Sequence, residues 1–169
     1  MIKRPQEGEY PPFAARYVDL VGNGPIIEIL EYLQQTTHHF FMRMDPAKAS
    51  YAYAEGKWTV KQVLGHMADT ERVFAYRALV FAREPLTLPG FDQDIYMANS
   101  NFNERKLENL ANEFNCVRET TLYFLKTVTE EQSTQKGIAS GYPVSVRGLA
   151  YMMAGHELHH LKILKERYF

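Results

Sequence analysis

Apolar residues recur along the chain at steps of three and four in four long stretches, the spacing of amphipathic helices. Clusters of glycine and proline at Pro11-Pro12, Gly22 to Pro25, Pro85 to Gly90 and Gly137 to Pro143 separate these stretches. In the first, Ile26, Ile29, Leu30, Leu33, Phe40, Phe41 and Met44 keep the helical step, while Glu28, Glu31, Gln35 and His39 take the other side. Pro25, after Asn23-Gly24, suits a first helical position. The second helix is predicted near 59–82. It opens with a capping box, in which Thr59 accepts from the amide of Gln62 while Gln62 reaches back, and Trp58 can pack on Val63 as a hydrophobic staple. The third stretch carries Leu107, Leu110, Phe114, Val117, Thr121, Phe124 and Val128, a packing seam that only Thr121 interrupts. The fourth, roughly 145–166, can be capped by Ser145 and ends in Lys162, Lys165 and Arg167, cations that suit a helix C-terminus. Runs of β-branched residues with period two are absent, so no strand is expected, and no internal repeat is found.

The expected fold is therefore all-α, a four-helix bundle forming a single domain over residues 1–169. The join between the second and third helices, about 20 residues, is long for a tight hairpin and long enough to cross over along the bundle. That predicts an up-down-down-up order with the fourth helix antiparallel to the second. The stretch from Leu86 to Phe102 would then cover the outside of the bundle and help shape a cleft, with Phe91, Tyr96 and Phe102 as anchors.

Charge narrows the class of partner. Nineteen basic against twenty acidic residues give a formal charge of −1, with the signs interleaved, and this argues against nucleic acid. Residues 1–9 have no signal-peptide pattern and no window approaches the roughly 18 apolar residues of a membrane span, so no membrane partner is expected. Cys116, the sole cysteine, excludes an internal disulfide and a multi-cysteine zinc site. It is read as a small core residue, and the chain as cytoplasmic.

Polar residues fall where the core should be. On the fourth helix Leu149, Met152, Met153, His160, Ile163 and Leu164 lie within about 80° of His156, so both histidines sit inside the apolar stripe, with His159 at its edge. On the second helix His66 points inward, Thr70 and Arg77 share its direction, Glu71 falls in the apolar arc and Asp69 borders it. Arg77, about 16 Å along the helix from His66, is expected in a core ion pair with an acid of the first or third helix. In antiparallel helices His66 comes level with His156 and His160, and three imidazoles make a divalent-metal site with open positions. The alternative is three separately hydrogen-bonded core histidines. His156-Glu157-Leu158-His159-His160 matches the H-E-x-x-H zinc-protease pattern. The metzincin continuation is missing, however, because Ile163 and Glu166 stand where Gly and His are required.

Four segments carry a family resemblance: Gly56-Lys57-Trp58-Thr59-Val60-Lys61-Gln62-Val63-Leu64-Gly65-His66, Asp69-Thr70-Glu71-Arg72, Leu88-Pro89-Gly90-Phe91-Asp92, and Ala154-Gly155-His156-Glu157-Leu158-His159-His160. With them the chain resembles the DinB-like, or YfiT-like, metal-binding four-helix bundles over nearly its whole length. The resemblance implies an up-down-down-up bundle, often a homodimer, with zinc or nickel on His66, His156 and His160. Characterised relatives include bacillithiol- or mycothiol-dependent S-transferases and a mycothiol-dependent maleylpyruvate isomerase. It therefore implies an enzyme that passes a low-molecular-weight thiol to a small electrophile, its partners being those two molecules. The alternatives are a metal-dependent hydrolase and a non-catalytic metal-binding structural dimer. No catalytic side chain is assigned. Asp69, Glu157 and Thr70 are the candidates to orient the ligands or substrate, and Glu157 can also serve a nearby arginine.

Overall fold

Local signals set the helix ends. Thr59 accepts from the Gln62 amide at 3.2 Å and the Gln62 side chain accepts from the Thr59 amide at 2.9 Å, so the capping box is formed. Ser145 accepts from the Gly148 amide in the same way at the start of the last helix. The computed structural model describes residues 2–168. Its α-helices and strands are α1 (Ala15–Val18), α2 (Ile26–Met42), α3 (Val60–Phe81), β1 (Thr87–Leu88), α4 (Gln93–Ala98), α5 (Leu107–Thr127), α6 (Glu130–Thr134), β2 (Lys136–Ala139), β3 (Tyr142–Ser145) and α7 (Val146–Arg167). The fold is built around a four-helix bundle of α2, α3, α5 and α7, as the apolar spacing predicts.

Cross-helix contacts fix the directions. Tyr168 donates to the Trp58 carbonyl, so the end of α7 meets the start of α3 and the two are antiparallel. Thr59 meets Asn103 and Arg72 meets Glu113, so α3 and α5 run the same way. His38 meets Asn112 while Glu31 meets Lys126, which makes α2 and α5 antiparallel. The order is up-down-down-up. Because α3 and α5 are parallel, the chain between them must travel back along the bundle, and it does so through β1 and α4 to Phe102, which is buried against Gly65 of α3. Of the three expected anchors Phe102 is buried and Phe91 partly so. Tyr96 lies exposed with its ring edge-on to Phe91, and Met97 is buried instead.

The expectation of no strand fails at one end of the bundle. β2 pairs antiparallel with β3, and β1 adds in parallel to β2. Ser140 and Gly141 both take positive φ, 54° and 82°, which closes the two-residue hairpin turn whose twist matches the strands. These strands are too short for a period-two signal, and a serine in left-handed backbone is a tertiary decision rather than a propensity. Cys116 is exposed on α5, not in the core.

Two contacts hold the segment before α2 against α7. A β-carbon on Gly155 would stand 2.0 Å from the Tyr17 carbonyl oxygen, and one on Gly148 would stand 2.2 Å from that of Glu9. Only glycine permits main chain to lie this close to the helix. Arg147 then donates to both Glu9 carboxylate oxygens at 2.6 to 3.0 Å.

Candidate metal centre

His66 lies on the second turn of α3, and His156 and His160 lie one turn apart on α7. The antiparallel packing brings them level. The Nε2 of His156 is 3.0 Å from that of His66 and 3.0 Å from that of His160, and the potential ligand atoms of all three lie within 4.8 Å of one another. Rings crowd the cluster. Trp58 packs on His66 at 4.8 Å between centroids, and Tyr17 lies edge-on to His156 at 5.7 Å and to His159 at 5.3 Å.

Electrostatics keep the imidazoles neutral. Burial pushes His66 down to about 4, and burial with the neighbouring His66, His159 and Arg16 pushes His160 down to about 3. His156, fully enclosed, falls well below its ordinary value, chiefly through burial. Neutral imidazole is the form that can ligate.

Hydrogen bonding among the three histidines does not account for this geometry. A ring nitrogen presents either one N–H or one lone pair, so His156 Nε2 can serve only one of its two 3.0 Å contacts well. A cation at the common point takes all three lone pairs at once. Zn–N bonds near 2.05 Å at tetrahedral angles put the nitrogens about 3.3 Å apart, close to the two 3.0 Å spacings to His156. The residues fit a divalent metal.

The surrounding polar groups divide. Thr70 Oγ1 is 3.4 Å from His66 Nδ1, placed to accept its N–H. Asp69 instead pairs with Arg72 at 3.3 Å on the bundle surface, and no hydrogen bond among the described residues joins it to the three imidazoles. Glu157 is buried with its carboxylate 2.7 Å from Arg118 Nη1, so it serves an arginine rather than a ligand histidine. Arg118 also donates to Glu71 through Nε and Nη2, at 2.6 and 2.9 Å. The expected ion pair of Arg77 does not form among the described residues. Its Nη2 donates to the Pro89 carbonyl at 2.9 Å and to Ser140 Oγ at 3.3 Å, because β1 and the hairpin, not an acidic helix face, lie opposite it.

A cavity of about 220 Å³ opens beside the triad, walled by Tyr17, His66, Thr70, Phe74, Arg77 and Phe91 among others. A second, of about 270 Å³, reaches His160 between Lys57, Trp58, Asp94 and Tyr168. Trp58 and Tyr17 escaped the sequence reading as site residues. Gly155 beside His156 was the available sign that something packs closely there.

Known proteins resemble this chain in sequence and in shape. The sequence model of the DinB superfamily matches residues 29–164. A protein of Oceanobacillus iheyensis, named for a proposed metal-dependent hydrolase activity, is 27% identical over 124 residues, covering 72% of this chain and 71% of its own. YfiT of Bacillus subtilis, described as a proposed metal-dependent hydrolase with an unusual four-helix-bundle topology, superposes with a TM-score of 0.72 at 16% identity, over 97% of this chain and 90% of that one. A DinB-like protein of Bacillus subtilis, YjoA, gives 0.59 at 23% identity, over 83% and 86%. With the family match spanning most of the bundle and both histidine-bearing helices, the chain belongs to the DinB superfamily.

Proposed function

We propose that the chain is a divalent-metal-dependent hydrolase of small molecules, with His66, His156 and His160 as the metal ligands. The observation that carries this is the convergence of three neutral ring nitrogens on one point, with no cysteine, carboxylate or further histidine in the cluster among the described residues. Three protein ligands and an open position are the arrangement of catalytic rather than structural sites. The proposed hydrolase activity of the Oceanobacillus relative and of YfiT supports the same reading. Zinc or nickel, which suit imidazole, would supply Lewis acidity there, acidifying a bound water or thiol and polarising an electrophile. Thr70, 3.4 Å from His66 Nδ1, would accept its N–H and so favour the tautomer that leaves Nε2 free to ligate. Tyr17, Trp58 and Phe74 pack against the imidazoles and hold the rings in place.

Thiol transfer is the second reading, favoured by one observation. The triad borders two cavities, His66 and His156 facing one and His160 the other, which suits two reactants meeting at one centre. Cys116 is exposed on α5 and is not among the residues lining either cavity, so the thiol would come from solution.

Elemental analysis of the purified protein tests the site, with about one divalent metal per chain expected. His160→Ala should lose it, while His38→Ala and His39→Ala should keep it. Full metal content in His160→Ala refutes the ligand set. The zinc- and nickel-loaded proteins are then assayed on small esters and amides with and without bacillithiol or glutathione. Turnover with water alone supports hydrolysis, a strict thiol requirement replaces it by transfer, and background rates throughout refute both.

A further inference from the structure

Arg77 is 94% buried at the far end of the first cavity, yet no carboxylate among the described residues pairs with it. Arg118 and Arg147, also inside the fold, each hold carboxylates. A buried cation without a partner is costly, and evolution keeps one where something else supplies the anion. Both hydrogen bonds of Arg77 use Nη2, which leaves Nε and Nη1 to the cavity it lines.

The surroundings are built to hold that guanidinium rather than to neutralise it. The Pro89 carbonyl fixes one side, the Phe91 ring lies 5.8 Å from the guanidinium carbon, and Ser140 offers its hydroxyl from a left-handed backbone at φ 54°. Along α3 the residues His66, Thr70, Phe74 and Arg77 follow at steps of four, four and three, so one helix face runs from imidazole through an aromatic wall to guanidinium.

We propose that this cavity binds a small amphipathic carboxylate, its anionic end on Arg77, its apolar body along Phe74 and its other end at the histidine triad. Three N–H groups remain, one on Nε and two on Nη1, and a carboxylate of one negative charge balances one guanidinium, whereas a phosphate dianion calls for more than one cation. A volume near 220 Å³ suits a short-chain acid derivative. The proposal deepens the hydrolase reading by naming its substrate class, but the anion site itself does not depend on metal.

Calorimetric titration with hexanoate and with its neutral counterpart hexanamide tests it, on protein as purified and after metal removal. Metal-free protein should prefer hexanoate at least tenfold, and His160→Ala should keep that preference. Arg77→Gln should abolish it without weakening hexanamide. Arg77→Lys should retain part of it, and this variant carries the test if circular dichroism shows Arg77→Gln unfolded. Equal binding of the two ligands by the metal-free protein, or an undiminished preference in Arg77→Gln, overturns the proposal. So does a preference that appears only with metal and vanishes in His160→Ala, since the carboxylate would then sit on the metal. Arg77-dependent binding in a protein that elemental analysis shows takes up neither zinc nor nickel would end the hydrolase reading and leave this one standing.

Discussion

Replacing Arg118 with methionine removes a cation that ties four helices together. Arg118 on α5 is fully buried, holds Glu71 of α3 through two hydrogen bonds, lies 2.7 Å from Glu157 of α7 and reaches the Leu30 carbonyl of α2. Burial alone would lower its pKa, and Glu157 and Glu71 more than offset that and raise it, so the guanidinium stays charged. Methionine fills similar space but strands two buried carboxylates. Breaking a buried ion pair by removing one member costs about 3 to 5 kcal/mol. In a chain of this size each kcal/mol moves the midpoint by about 2 to 4 °C, so a loss on the order of 10 °C is expected. Thermal unfolding followed by circular dichroism measures the shift, and urea unfolding the free energy. The cost belongs to the unpaired charges rather than to lost packing, so the triple variant Arg118→Met, Glu71→Leu, Glu157→Leu should recover most of it. A single-variant loss under about 1 kcal/mol, or a triple variant no more stable than the single, would refute the reasoning.

Two further predictions concern the N-terminal segment. Burial would raise the Glu9 carboxyl, but the Arg147 hydrogen bonds, the Gln6 amide and the Arg147 charge more than offset it and hold the pKa below 4.5. A depressed carboxyl stabilises fully above its unfolded value and loses that contribution as pH falls through its folded one. Stability should therefore decline below about pH 4.5, and Glu9→Gln should flatten that acid limb at a cost of about 1.5 to 3 kcal/mol at neutral pH, read by urea midpoints across pH. Gly155→Ala would place a β-carbon 2.0 Å from the Tyr17 carbonyl, so it should destabilise by about 1 to 3 kcal/mol in the same assay. An unchanged midpoint would mean the segment does not press on α7.

What could be read from the sequence follows from the range of each interaction. The capping box at Thr59 and the Ser145 cap are local chemistry, and the predicted 59–82 and 145–166 lie within a residue of the helices found. The inward line of His66, His156 and His160 follows from helical periodicity. Arg118 was hidden for the opposite reason. The seam was drawn through Val117, Phe124 and Val128, which are only half-buried, while the buried line runs Phe114, Arg118, Thr121, Leu122 and Leu125. Hydropathy rejects an arginine there, although an acid in the apolar arc at Glu71 already called for a cation. Arg77 failed differently, because what faces it comes from β1 and a hairpin that no local pattern announces.

The two contacts at Gly148 and Gly155, seven residues apart on one face of α7, seat the chain before α2 by main-chain carbonyls. That stretch gives Pro11, Phe13 and Tyr17 to the wall of the first cavity, and it precedes residues 29–164, which hold all three histidines. A wall docked through its backbone keeps its seat whatever side chains it carries. The scaffold thus separates inheritance of the metal chemistry from choice of substrate: exchanging the residues that line the wall would retune what enters while leaving the three imidazoles where they are.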